Sequence, residues 1–221
     1  MVNEKKLNLA CGNNRIEGYY GIDIKKTETV DHVMDLELFP WDIESESAEE
    51  ILCSHYVEHT PMETLSKRLL RLIAENDDYI SLRTKVAEID LNEPSDGLIM
   101  FMNEVYRILK SEIIDPDGTV HGGRIKIIAP YYNSIRCWQD PTHRRAISDA
   151  TFLYFNKGWR EANRLDHYGI VADFDFTYGY DINGVWASKH EEARNHGILH
   201  YTNVVNDIHV TMTKRPPTLK Q

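Results

Sequence analysis

Two neighbouring stretches near the amino terminus constrain this chain more than any others: Lys6-Leu7-Asn8-Leu9-Ala10-Cys11-Gly12-Asn13-Asn14 and Tyr20-Gly21-Ile22-Asp23-Ile24. Leu7 and Leu9 open an apolar run, a turn of small residues closes it, and a second apolar run reaches a carboxylate eleven positions after Gly12. The pattern is strand, tight turn, strand. In open parallel sheets, ligands bind at the carboxyl ends of the strands, and the turn after the first strand must let backbone come close to them. Gly12 permits that approach because it lacks a Cβ and tolerates positive φ. Asp23 then stands where its carboxylate accepts from the two hydroxyls of a ribose, so the pair predicts a nucleoside-cofactor site.

The turn also narrows the cofactor. A dinucleotide fingerprint spaces three glycines so that a pyrophosphate rests on a helix N-terminus, whereas only Gly12 stands in this turn. A single glycine among Ala10, Cys11, Asn13 and Asn14 better suits a ligand without phosphate, such as S-adenosyl-L-methionine, whose amino-acid tail needs polar and backbone partners.

With 221 residues, 42% hydrophobic and 27% charged, the chain fits one α/β domain with a sizeable core. No apolar run reaches the ~18 residues of a membrane span, and the first six residues carry no apolar leader, so a cytoplasmic protein is expected. Cys11, Cys53 and Cys137 are too few and too scattered for a disulfide framework. The formal charge of −10 argues against broad binding to nucleic acid.

Farther on, Val33 and Met34 start a third strand, ended by Asp35 and by Pro40-Trp41, where a carboxylate can meet an adenine amino group and Leu36 can cover the ring. Ser47 to Ser54 supplies a fourth, with His55-Tyr56-Val57-Glu58-His59 directly behind it. In order, Leu-Asn-Leu-Ala-Cys-Gly-Asn, Gly-Ile-Asp-Ile, Asp35-Leu36, Ser54 to His59, Glu104 to Lys110, and Gly122-Gly123-Arg124 before a strand resemble class I S-adenosylmethionine-dependent methyltransferases, closest to a bacterial and phage branch. The resemblance covers about residues 5 to 155. It implies a Rossmann-like, doubly wound, seven-stranded and mostly parallel sheet with an antiparallel C-terminal strand pair, in a single domain spanning 1–221. It also implies a methyl transferase whose cofactor contacts are Ala10, Cys11, Gly12 and Asn13 toward the methionine portion, Asp23 with neighbouring Ile24 at the ribose, Asp35 and Leu36 at the adenine, and Ser54 on the methyl-bearing side.

The chain departs from that family at several points. Ala10 stands where a first glycine is usual, the segment from Gly12 to Gly21 is too short for the usual first helix, and 61–96 and 111–121 look inserted. His55-x-x-Glu58-His59 also spells the inverted zinc-protease pattern, which needs both imidazoles on one helical face. It sits at a strand end, and none of His121, His143, His167, His190, His196, His200 and His209 stands out as a third ligand, so a zinc hydrolase is disfavoured and no metal is expected. A fold that binds a cofactor or partner without turnover is the other alternative.

Apolar spacing predicts an amphipathic helix over Glu63 to Asn76 and another from Leu98 through Leu109 that packs on the sheet. Arg124 to Ala129 reads as a fifth strand. The loop behind it, Tyr131 to Arg145, is dense in aromatic, acidic, imidazole and guanidinium groups, the kind of loop that carries function. On the acceptor side His55 or His143 is the expected base, with Asp140 orienting it and Arg144 holding negative charge. Arg145, Lys157, Arg160 and Arg164 make that neighbourhood locally basic. Alternation predicts strands over Gly169–Tyr178 and Val204–Met212. The chain has neither an Asn/Asp-Pro-Pro-aromatic run nor a Pro-Cys pair, so an unidentified small molecule is the expected acceptor, with nucleic acid and membrane disfavoured.

Overall fold

In the computed structural model, residues 1–76, 78–87 and 94–216 are described. Their strands are β1 (Lys6–Leu9), β2 (Tyr20–Asp23), β3 (His32–Val33), β4 (Glu50–Ser54), β5 (Ile113–Ile114), β6 (Val120–His121), β7 (Arg124–Pro130), β8 (Phe174–Ile182) and β9 (Val205–Lys214). Seven of them make one sheet in the order β3-β2-β1-β4-β7-β9-β8, and β5 and β6 form a separate antiparallel pair. The first five sheet strands run parallel, in register Leu9↔Ile22, Leu9↔Cys53 and Cys53↔Ile127, while β9 is antiparallel to both β7 and β8. The expected sheet and its antiparallel closing pair are therefore both present. Chain order reverses between β1 and β4, which makes their carboxyl ends the switch point where ligands bind in such sheets.

One face of the sheet carries the core. Leu7, Leu9, Ile22, Ile51, Cys53, Ile125 and Ile127 alternate onto it and are buried. They pack with helix α3, named in sequence after α1 (Leu65–Glu75) and α2 (Tyr79–Ala87), over Gly97–Ile108. Asp96 starts α3 by accepting from the backbone N–H groups of Leu98 and Ile99, and the helix buries Leu98, Phe101, Met102, Val105 and Ile108. Fully burying a side chain such as Phe101 contributes about 1.5–3 kcal/mol.

The opposite face behaves differently. Parallel sheets are usually covered on both sides, yet no helix joins β1 to β2, β2 to β3 or β3 to β4. The residues facing that way are accordingly polar or half-buried: Asn8 of β1, Leu52 and Ser54 of β4, Lys126 and Ile128 of β7, His209 and Thr211 of β9. Glu50 bridges Lys6 at 3.5 Å and Lys126 at 2.7 Å across three strands. The alternation of β7, buried at Ile125, Ile127 and Ala129 and exposed at Arg124 and Lys126, is the mark of a strand with one wet face.

The predicted helix over 63–76 is α1, although no residue of it is buried, and α2 packs beside it. The rest of the segment expected as the first insertion, at 77 and 88–93, lies outside the described residues. The second such segment holds the β5–β6 pair. After β7 come α4 (Ile135–Gln139), a 3-10 segment Asp149–Phe155 and α5 (Lys157–Asn163). The polar stretch before β9 folds as α6 (Gly184–Ala187) and α7 (Glu191–His200). β8 begins at Phe174, five residues later than the alternation suggested, because Arg160 ties the backbone at Ile170 and Ala172 into a loop. Among the described residues no helix is long and apolar enough to cross a membrane.

Candidate functional site

The turn after β1 is fastened to β2 by side chains. Asp23 Oδ2 accepts the Gly12 N–H at 2.9 Å and Oδ1 the Lys25 N–H at 3.2 Å. On the other side of the turn, the hydroxyls of Thr29 and Thr27 donate to the Gly12 carbonyl at 2.6 and 3.1 Å. Gly12 sits at φ 53°, and a Cβ placed there would meet no atom within 4 Å, so the space above the turn is open. Ala10 takes φ 53° as well, the left-handed value that the missing glycine would have adopted without strain. Asn8 holds the far end of the turn through Nδ2 and the Asn14 carbonyl at 3.1 Å. Cys11 is buried against the Thr29 carbonyl, and burial, then the Asp23 charge, pushes its thiol pKa up, so it is a poor nucleophile. Asn13 is exposed beside the turn.

Other residues expected at the cofactor lie at the ends of adjacent strands. Ile24 is 61% exposed just past Asp23, and Val33 at the end of β3 is 50% exposed, so two apolar side chains face solvent beside the carboxylate. Asp35 is engaged by Lys67 at 2.7 Å and by the Glu37 N–H at 3.0 Å. The Leu36 side chain is turned into the core, where Trp41 Nε1 bonds its carbonyl. Ser54 is half-buried at the end of β4.

Beyond Ser54 the chain turns sharply. His55 is at φ 55°, and only Val57–His59 form a single 3-10 turn, so His55 and His59 do not share a helical face and the zinc-protease reading of this run has no helix to rest on. Glu58 is fully buried, and neither carboxylate oxygen receives a hydrogen bond. Its charge, after burial itself, raises the thiol pKa values of Cys53 and Cys137 on either side. Three imidazoles surround it. His55 Nδ1 lies 3.4 Å from Oε1, a contact that raises the His55 pKa, and His143 Nε2 lies 3.9 Å from the same oxygen. The His59 and His143 rings meet edge to face with centroids 4.6 Å apart.

The loop after β7 holds these rings. The Glu58 carbonyl accepts from the N–H groups of Arg144 and Arg145 at 2.8 and 3.1 Å, which docks the loop on the turn after β4. Asp140 accepts the Thr142 N–H at 2.8 Å and hydroxyl at 2.7 Å, bonds that hold its carboxyl below the usual range, and its Oδ2 is 3.9 Å from His143 Nε2. Arg144 is exposed and its guanidinium makes no ion pair among the described residues. The locally basic neighbourhood resolves otherwise. Arg145 binds Asp96 and the Thr60 and Pro61 carbonyls, and Arg160, 3% exposed, gives its donors to the carbonyls of Tyr154, Ile170 and Ala172. Both guanidiniums bind protein groups.

Glu58 and His59 entered the sequence reading only through the disfavoured zinc-protease pattern, and Thr142 and Thr29 went unassigned. The signal that finds the first three is adjacency: the runs behind β4 and β7 must meet because those strands pair.

No protein-family model matches the chain, and no curated protein sequence does. A SAM-dependent methyltransferase from Archaeoglobus fulgidus superposes on it with a TM-score of 0.52 at 14% identity, over 96% of this chain and 86% of that one. An S-adenosylmethionine-dependent methyltransferase from Mesorhizobium loti aligns at 10% identity over 96% and 91%, with a TM-score of 0.42. The first of these likenesses establishes the fold: the chain has the Rossmann-like architecture of class I methyltransferases, as the resemblance in its motifs implied.

Proposed function

We propose that this protein is an S-adenosylmethionine-dependent methyltransferase that holds its cofactor at the carboxyl ends of β1 and β2 and its acceptor beside the ends of β4 and β7. The observation that carries the reading is the fastening of Gly12 to Asp23 under open space. A carboxylate has about four lone-pair directions, so Asp23 can keep its two backbone donors and still accept from ribose hydroxyls. Exposed Ile24 and Val33 suit the apolar faces of an adenine, and the turn offers too little glycine for a diphosphate. Backbone groups of Ala10, Cys11 and Asn13 would face the amino-acid tail, Asp35 the adenine edge, and Ser54 the reacting end.

When bound, S-adenosylmethionine supplies an electrophilic sulfonium methyl, transferred by in-line displacement. The chain then has to align an acceptor and take its proton. His55, half-exposed at the end of β4 and paired with Glu58, suits that task better than His143, whose side chain is 9% exposed. Arg144 is free to hold an acidic group of the acceptor. A small acceptor fits a chain of charge −10 better than a polyanion does.

Titration calorimetry with S-adenosylhomocysteine tests the reading. Binding by the wild type that is lost or greatly weakened in Asp23→Ala is expected; no binding to either, or equal binding to both, removes it.

A further inference from the structure

Glu58 poses a problem of electrostatics. A buried carboxylate without hydrogen bonds is among the costliest groups a fold can hold, and it persists only by taking up a proton or with a cation beside it. Among the described residues no Lys or Arg side chain pairs with it. Imidazoles lie beside it, and its charge reaches the thiols of Cys53 and Cys137.

Two of those imidazoles are held in a particular tautomer. His143 Nδ1 lies 2.9 Å from the Cys137 carbonyl, and because a carbonyl only accepts, Nδ1 carries the proton. His59 Nδ1 lies 3.0 Å from Thr142 Oγ1, whose own proton goes to Asp140 Oδ1 at 2.7 Å, so here too Nδ1 donates. In each neutral ring Nε2 is left with a lone pair. A lone pair at His143 Nε2 facing that carboxylate oxygen at 3.9 Å is repulsive unless a proton or a metal cation lies between them.

From this geometry we infer that Glu58, His59 and His143 form a binding site for a divalent first-row transition cation. One ligand atom from each lies within 4.8 Å of the other two. Bonds of about 2.0–2.2 Å hold ligand atoms about 3–4 Å apart, so small side-chain rotations close the site. Two imidazoles and one carboxylate suit Zn²⁺, Co²⁺, Fe²⁺ or Mn²⁺ rather than Mg²⁺ or Ca²⁺, and three protein ligands leave positions open. The partners behind the rings, a backbone carbonyl for His143 and the Thr142–Asp140 pair for His59, are those that orient metal-binding imidazoles. Thr142 and Asp140 are thus positioning residues. Resting on the function proposed above, the open positions suit an oxygen-bearing methyl acceptor such as an alcohol or enol.

Protein stripped with a chelator and dialysed is titrated with Co²⁺, followed by visible absorption and calorimetry. One Co²⁺ per chain is expected, with binding abolished in His59→Gln and His143→Gln and weakened about 10-fold or more in Thr142→Val, which changes a residue exposed at the surface and is expected to fold. Glu58→Gln should also lose the ion. No Co²⁺ uptake, or uptake unchanged in the two histidine variants and Thr142→Val, overturns the site. Uptake does not depend on methyl transfer. Co²⁺ binding without S-adenosylhomocysteine binding leaves the cation site standing and removes its acceptor role, whereas S-adenosylhomocysteine binding without Co²⁺ removes the site and leaves the transferase.

Discussion

The carboxylate of Asp23 holds the backbone N–H of Gly12 at 2.9 Å, joining the end of β2 to the turn after β1. One side chain therefore fixes the turn and offers its remaining lone pairs to a ligand. Asn at this position keeps one acceptor for Gly12 but loses the charge, and Ala loses both. A hydrogen bond to a charged group is worth about 1.5–3 kcal/mol, or about 10- to 100-fold in affinity. Asp23→Asn should bind S-adenosylhomocysteine about 10-fold more weakly and Asp23→Ala about 100-fold more weakly, as read by calorimetry. Equal affinities for the two variants would mean that the carboxylate shapes only the turn.

Ala10 is held at φ 53°, where an L-residue with a Cβ costs about 1–2 kcal/mol relative to the right-handed region. Glycine removes that strain but adds about 0.5–1 kcal/mol of unfolded-chain freedom. Ala10→Gly should stabilise the protein by about 0.5–1 kcal/mol in urea denaturation. A lower midpoint in the variant would show that the methyl group packs better than the strain suggests.

These two positions also mark how far the sequence could be read. Strand, turn and acidic strand end are local features with a period of two, so the β1–β2 unit was visible directly, and the short stretch from Gly12 to Gly21 did foretell the absence of a helix there. The relation between Glu58 and His143 was not visible. It joins residues 85 apart and exists because β4 and β7 pair in the register Ser54↔Ile128, which brings the two following loops together. Arg160 shows a different limit. It stands in a locally basic run, but composition does not say where a guanidinium points, and this one is spent on three carbonyls.

Gly21 and Gly12 should respond differently to the same added methyl. At Gly21 a Cβ would come within 2.4 Å of the Thr29 carbonyl oxygen and 3.1 Å of Cys11 Sγ, so backbone must move. Overpacking of this kind costs about 1–3 kcal/mol. Thr29 also carries the short bond to the Gly12 carbonyl, so Gly21→Ala should lower both Tm and affinity for S-adenosylhomocysteine. Gly12→Ala meets nothing in the protein and pays only for its positive φ, about 1–2 kcal/mol. Its methyl would stand in the space assigned to the ligand, so its affinity loss should be the larger of the two. Calorimetry and thermal melts on both variants check the contrast.

Asp31 ties the loop between β2 and β3 back onto β2 and gives the fold an acid-sensitive contact. Its Oδ2 accepts the Gly21 N–H at 2.7 Å and its Oδ1 the Arg15 guanidinium at 2.9 Å. These bonds, the backbone one first, hold its pKa below the ordinary 3.8. A carboxyl with a lowered folded pKa stabilises the fold fully above its unfolded value, and that contribution fades as pH falls through the folded value. At pH 7 Asp31→Asn should therefore melt about 2–4 °C below wild type, a cost of about 1 kcal/mol once solvent screening is allowed for. The gap should stay constant down to about pH 5, narrow below the unfolded pKa, and close once the wild-type carboxyl is protonated in the fold. A gap that widens on acidification would mean that Asp31 is protonated more readily folded than unfolded, contrary to the bonds it makes with Gly21 and Arg15.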